Sequence, residues 1–183
     1  MAIRPSEAAL QELLALQADL DQGRVVPEEN LHVTLAFLDE QSEATLGVLH
    51  EVLADIRMND VALTFSGVDA RGGRSPALIW AGIDPTEPLV QLHSRVRGAA
   101  HQAGIALPRK RFRPHVTLAR IGRGARVDRS RLGAWLARHG TFAAGPFPVA
   151  SFCLYRSQLA PGGSIYEILA EYPMDGSASV SGE

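Results

Sequence analysis

The sequence predicts an α+β protein built as a duplicated, bilobal unit, with an antiparallel sheet in each lobe. Three observations predict it. The pentapeptide His-Val-Thr-Leu-Ala stands at residues 32–36 and returns unchanged at 115–119. Around it, the order helix, motif strand, helix, two-stranded hairpin reads off the hydrophobic periodicity twice. No stretch between the two rounds is rich enough in Gly, Pro or Ser to separate independent domains, so residues 1–173 read as one domain. Beyond Pro173 the residues are small and polar, and 174–183 is expected to be a disordered tail.

The elements follow in order. Met1 to Arg4 reads as the end of a short strand. Ser6 caps a helix to about Asp21, with Leu10, Leu13, Leu14 and Leu20 as its apolar stripe and Gly23 as its stop. Arg24 to Val26 is extended, Pro27 to Asn30 turns, and Leu31 to Leu38 is the first motif strand. Ser42 caps a second helix carrying Leu46, Leu49, Leu53 and Ile56 at helical spacing. Val61 to Val68 and Ala77 to Ile83, the latter with Trp80, form a hairpin about a turn at Arg71-Gly72-Gly73-Arg74. A third helix runs from Thr86 to Ala103 and stops at Gly104. Arg113 to Ile121 is the second motif strand, and Asp128 to His139 a fourth helix with Leu132, Trp135 and Leu136 inward. Val149 to Tyr155 and Ser164 to Glu171 close the chain as a hairpin across Pro161-Gly162-Gly163.

Composition excludes several classes. With 46% apolar and 21% charged residues, the 183-residue chain has the profile of an ordinary globular protein. No apolar run reaches bilayer length and the first residues lack a signal-type apolar core, so the expected location is the cytoplasm. The single Cys153 lies among apolar residues, reads as a buried thiol, and rules out a thiolate zinc cage. A net charge of −2 conceals an asymmetry: residues 1–60 hold twelve Asp or Glu against three Arg, while residues 109–131 hold nine of the eighteen Lys and Arg against Asp128 alone. A basic window around the second pentapeptide favours an anionic partner, phosphate above all, over a merely solvated basic surface.

The pentapeptide itself carries chemistry. On an extended strand His32 and Thr34 share one face, with Val33 and Leu35 on the other, and His115 and Thr117 repeat the arrangement. Two imidazoles in one cleft can divide acid and base labour, and two hydroxyls can donate hydrogen bonds to phosphoryl oxygens. A metal is the competing use of paired histidines, but neither motif has a carboxylate at ligand spacing. A purely structural use of the repeat is the remaining alternative. His50, His93, His101 and His139 fall on predicted helices and read as exposed or capping residues. No Gly-rich phosphate loop or nucleophile elbow is present.

The two His-x-Thr strands resemble the two-histidine phosphoesterase superfamily, and within it the bacterial RNA 2',3'-cyclic phosphodiesterase or 2'-5' RNA ligase (LigT-like) family. Arg24 to Leu38 and Phe112 to Arg120 carry the resemblance, with weaker echoes at Leu154-Tyr155-Arg156-Ser157 and around Tyr166. It implies a bilobal LigT-like fold and cofactor-free hydrolysis of a 2',3'-cyclic phosphate on RNA or a nucleotide to a 2'-phosphomonoester. His32 would donate a proton to the departing 3' oxygen, His115 would activate water, and Thr34 and Thr117 would grip the phosphate. The first strand is shorter than the family's, and Val25 stands where relatives often carry an aromatic. Phe112 and Tyr155 are then the aromatics for a base, each with a core role as its alternative. Strand parity favours Arg113, two residues before His115, over Arg120 for a phosphate contact unless a bulge intervenes. The other functional readings are a cyclic phosphodiesterase for a small nucleotide, a 2'-5' ligase, and a non-catalytic RNA-binding module. No membrane and no obligate protein partner are implied, so a monomer is expected.

Overall fold

A computed structural model describes residues 1–72, 76–122, 124–160 and 163–174. Its four helices are α1 (Glu7–Ala18), α2 (Glu43–Ala54), α3 (Glu87–Gln102) and α4 (Arg129–His139). Three begin at the expected caps. Ser6 Oγ accepts from the Ala9 amide, Ser42 Oγ from Thr45, and Asp128 Oδ1 from Ser130 and Arg131. Each helix buries one stripe, as Leu89, Leu92, Val96, Ala99 and Ala100 do on α3. α1 stops at Ala18, earlier than expected, because Asp19 turns out of the helix to serve α4: its carboxylate accepts from Trp135 Nε1 and bonds Arg138 and His139. No helix among the described residues is long and apolar enough to cross a membrane.

The strands are β1 (Ala2–Ile3), β2 (Arg24–Val25), β3 (Val33–Thr34), β4 (Ala62–Gly72), β5 (Pro76–Ile83), β6 (His115–Arg120), β7 (Ala143–Pro148), β8 (Ser151–Ala160) and β9 (Gly163–Pro173). They form one antiparallel hydrogen-bonded path, β7-β4-β5-β6-β3-β1-β8-β9, with β2 added on β6. The two expected sheets are the halves of this path, joined where β3 meets β6. The hairpins are exchanged between the halves. β4 and β5, which follow the first motif strand in sequence, pair with the second, while β8 and β9 reach the first motif strand through β1.

Several boundaries differ from expectation for physical reasons. β3 is two residues long, not eight, because the amides of Leu35 and Ala36 both turn to the Met1 carbonyl, at 2.9 and 3.2 Å, and leave the ladder. β6 begins at His115, after Pro114, whose missing N–H cannot extend it. β7 has no counterpart in the sequence reading: Gly145, Pro146 and Pro148 argue against a strand, yet it lies at the sheet edge, where proline is tolerated. Met174, assigned to the tail by its neighbours, is buried, and its amide donates to Ala150. Residues 175–183, and the centres of both expected hairpin turns at 73–75 and 161–162, lie outside the described residues.

One buried polar side chain ties the helical layer to the second motif strand. Gln17, 8% exposed, donates from Nε2 to the carbonyls of Val26 at 2.9 Å and Leu118 at 2.8 Å. Leu118 is the extra residue of a bulge, since Thr117 opposes Trp80 while Ala119 opposes Ile79. Its carbonyl also takes the Val26 amide at 2.8 Å. Replacing Gln17 by Leu removes two hydrogen bonds, the one to Leu118 buried and the one to Val26 partly buried, and is expected to cost about 1–3 kcal/mol. The midpoint of denaturant unfolding measures this; an unchanged midpoint would show that Gln17 does not hold the bulge.

Candidate active site

The site is assembled by a single register. Val33 pairs with Val116, so the same residue of each pentapeptide meets its copy across the β3–β6 seam. Antiparallel pairing then sets His32 across from Thr117 and Thr34 across from His115, all four on the face opposite the two buried valines. The two motifs are thereby related by a local two-fold axis through the valine pair. Each histidine stands roughly 5 Å, Cβ to Cβ, from the other motif's threonine by ordinary cross-strand spacing.

The imidazoles are oriented alike from unlike backbones. His32 Nδ1 lies 2.8 Å from the carbonyl of Asn30, at the end of a single 3-10 turn over Glu28–Asn30. His115 Nδ1 lies 2.8 Å from the carbonyl of Arg113, which precedes Pro114 and is thereby held toward extended geometry. A carbonyl only accepts, so Nδ1 carries the hydrogen in both rings, and Nε2 is the atom that gains or loses a proton. Burial pushes both imidazoles below their usual titration range, partly offset by these carbonyls. Positive neighbours push further: the amino terminus, Arg120 and His115 on His32, and Arg71 and Arg120 on His115.

Arg120 therefore stands closer to the chemistry than strand parity suggests. The bulge at Leu118 resets the alternation, so Arg120 opposes Leu78 just as Thr117 opposes Trp80, and both fall on the histidine face. The buried pair Leu118 and Ala119 is the trace of that reset. Arg113 gives its carbonyl to His115, and its side chain lines a cavity of ≈ 330 Å³ that runs beside His115 and Trp80, with Arg111, Phe112 and Asp84 in its wall. Phe112 has one ring face covered by His93, at 3.9 Å between centroids. Tyr155 sits on the other side, 6.4 Å from the His32 ring.

Three neighbours of the histidines are not among the site residues expected from the sequence. Trp80, placed there only as a strand residue, packs 4.3 Å from the His115 ring. Tyr166 meets His32 edge-on at 5.1 Å. Arg71, assigned to a turn, is on a strand with its guanidinium 5.0 Å from the Trp80 centroid. Usable signals existed for Trp80, a large aromatic in a strand bounded by turn residues, and for Tyr166, which lies in a stretch carrying a weak echo of the family. Gly82, opposite His115, has no room for a side chain, since a Cβ would sit 2.5 Å from the Ser66 carbonyl. Of the other histidines, His50 bonds the Tyr172 hydroxyl, His93 stacks on Phe112 and His139 bonds Asp19. Among the described residues, no three His, Cys, Asp or Glu side chains gather as a metal-binding group.

A cation beside an imidazole disfavours the imidazolium, so removing the cation raises the imidazole's pKa. Arg120→Gln is therefore expected to raise the titration midpoints of both His32 and His115, and Arg113→Gln to move them less. Proton NMR titration of the ring Cε1–H signals reads both. Equal shifts in the two variants would place Arg120 off the histidine face.

Comparison with known proteins finds relatives both by sequence and by fold. Residues 4–160 match the profile of the 2'-5' RNA ligase superfamily. The chain is 34% identical over 151 residues to the RNA 2',3'-cyclic phosphodiesterase of Aeropyrum pernix, covering 81% of this chain and 84% of that one. It is 30% identical over 155 residues to the enzyme of the same name from Escherichia coli, covering 84% and 81%. Among solved structures, TT0787 of Thermus thermophilus superposes with a TM-score of 0.77 at 25% identity, over 96% of this chain and 97% of that one. E. coli LigT in its apo form superposes with a TM-score of 0.69 at 27% identity, over 94% of each chain. By sequence match and by fold, the chain belongs to the 2'-5' RNA ligase superfamily of two-histidine phosphoesterases.

Proposed function

We propose that the chain is an RNA 2',3'-cyclic phosphodiesterase that opens the cyclic phosphate to a 2'-phosphomonoester without a metal. The observation that carries this is the Val33–Val116 register, which crosses each histidine with the other motif's threonine. A phosphate held between the Thr34 and Thr117 hydroxyls receives two hydrogen bonds on its non-bridging oxygens, with an imidazole Nε2 on either side. His115 Nε2 takes a proton from water as the water oxygen bonds to phosphorus. The bond from phosphorus to O3' breaks, and His32 Nε2–H supplies the proton that makes the 3' hydroxyl. One proton enters and one leaves, so solvent exchange resets both rings.

The resemblance sets this division of roles, and the shared Nδ1 anchoring fits it, since both rings offer Nε2 alone. Arg120 and the aromatics beside each histidine, Trp80 on one and Tyr155 with Tyr166 on the other, suit an anionic, base-bearing substrate. All four groups come from one chain, consistent with a monomer working on RNA in the cytoplasm. Residues 1–173 form one folding unit on this reading, because the exchanged hairpins leave neither half with a complete sheet of its own.

With EDTA present, a cyclic-phosphate-terminated oligonucleotide is expected to be hydrolysed to a 2'-phosphate end. His32→Ala and His115→Ala should each lower kcat/KM by about 10²- to 10⁴-fold or more while the unfolding midpoint is kept. Near-wild-type turnover in either variant would end the two-histidine reading.

The pH profile follows from the two lowered midpoints. Turnover requires one imidazolium and one neutral imidazole. With both rings titrating below the ordinary value near 6.5, the singly protonated site is most populated on the acid side of that value and drains away as pH rises. A bell in kcat/KM centred below about 6.5 is expected; a bell centred on the alkaline side would contradict the two cationic environments.

A further inference from the structure

The two imidazole anchors at the seam are built differently. The Asn30 carbonyl that holds His32 Nδ1 belongs to a closed 3-10 turn, in which the Asn30 amide donates to Pro27 and the Leu31 amide to Glu28, at 2.9 and 3.0 Å. The Arg113 carbonyl that holds His115 Nδ1 stands instead near the end of a ten-residue stretch, 105–114, without helix, strand or turn. Its bond to the imidazole is exposed to water, so the bond persists only as well as the carbonyl is held in place. Trp80, 4.3 Å from the His115 ring, restrains the plane of that ring, but an indole N–H only donates and cannot take the Nδ1 hydrogen.

Helix α3 holds that stretch along its length. Near the start, the Ile105 amide donates to the Ala100 carbonyl at 2.8 Å, and Arg97 Nη2 donates to the Pro108 carbonyl at 3.1 Å. At the end, the Pro114 carbonyl accepts from the Ile83 amide at 3.1 Å. Between Pro108 and Pro114 the hold is a ring contact. His93, one helical turn before Arg97, lies face to face with Phe112, at 3.9 Å between centroids and 12° between planes. Burial, and after it Arg97, lower the titration of His93, which favours the neutral ring for this stack. Phe112 is the residue bonded to Arg113, so where its ring is held decides where the Arg113 carbonyl points.

We propose that His93 is a positioning residue for the base: through its stack on Phe112 it keeps the Arg113 carbonyl at His115 Nδ1, and so keeps His115 in the tautomer whose Nε2 is free to take a proton. The role of His115 as base rests on the cyclic phosphodiesterase reading, whereas its tautomer does not. His32 needs no such support, since its anchor is closed by its own turn. The second motif thus depends on α3 in a way that the first does not.

Nitrogen-15 NMR of the imidazoles, recorded above their titration range, tests this without requiring turnover, because Nδ1 and Nε2 shift apart according to which carries the hydrogen. In the wild type His32 and His115 are both expected in the Nδ1–H form. In His93→Ala, His115 is expected to relax to a mixture of the two tautomers while His32 stays as it was. His93→Phe, which keeps a ring on Phe112, is expected to restore His115. An unchanged His115 in His93→Ala overturns the proposal, as does failure of His93→Phe to restore it. A change of equal size in His32 also overturns it, since that marks a general loosening of the seam. On adenosine 2',3'-cyclic phosphate, kcat/KM should fall about tenfold in His93→Ala, part of the roughly 10²- to 10⁴-fold that a positioned base supplies, and recover in His93→Phe. Failure of the wild type to hydrolyse this substrate would count against the proposed reaction, while the tautomer of His115 would still decide the positioning.

Discussion

One cross-strand pair, Val33 with Val116, sets the geometry on which the site depends. Behind it lies a row of four fully buried residues on consecutive strands, Ile3, Val33, Val116 and Ala81. Their burial locks the register, because a slip of one residue would expose the apolar row and turn both histidines and both threonines into the core. β3 contributes only two residues to the ladder, so the seam has few backbone hydrogen bonds of its own. Its alignment comes from what packs underneath, and the chemistry on one face is specified by hydrophobic burial on the other.

The exchange of hairpins makes the two halves interdependent. β4 and β5 flank the second motif although they are made straight after the first, and β8 and β9 complete the first half from the end of the chain. Each half of the cleft consequently contains residues far apart in sequence: Trp80 beside His115, and Tyr155 with Tyr166 beside His32. That arrangement explains the missing linker. The Gln17 amide, reaching Leu118 across a hundred and one residues of sequence, fastens the first helix to the half that contains the second motif strand.

What was legible in the sequence were the features encoded by neighbours along the chain. Ser6, Ser42 and Asp128 announce their helices through side-chain capping, and alternation places His32 with Thr34 and His115 with Thr117. What was not legible depends on partners across the sheet. The bulge at Leu118 exists because Trp80 and Ile79 oppose an extra residue, so the face of Arg120 follows from β5 and not from its distance to His115. β3 ends early because Met1 offers its carbonyl to Leu35 and Ala36. β7 hides behind its prolines because only its position at an edge makes them acceptable. Arg71 looked like a turn residue until the strand was seen to continue past it.

The two histidines, alike in Nδ1 anchoring, differ in what surrounds them, and charge brings the difference into the reaction. Burial and nearby guanidiniums lower the titration of both rings, which suits a base and works against an acid. A bound phosphate supplies what is missing. A negative charge beside an imidazole favours the imidazolium and so opposes the effect of burial and of the cations. On the proposed mechanism the substrate's charge therefore favours a proton on one ring as it binds. The other ring stays neutral because an adjacent imidazolium disfavours a second. On the proposed mechanism the acid is thus formed by the substrate's own charge, and the cations that lower both rings in the empty site become its counter-ions in the filled one.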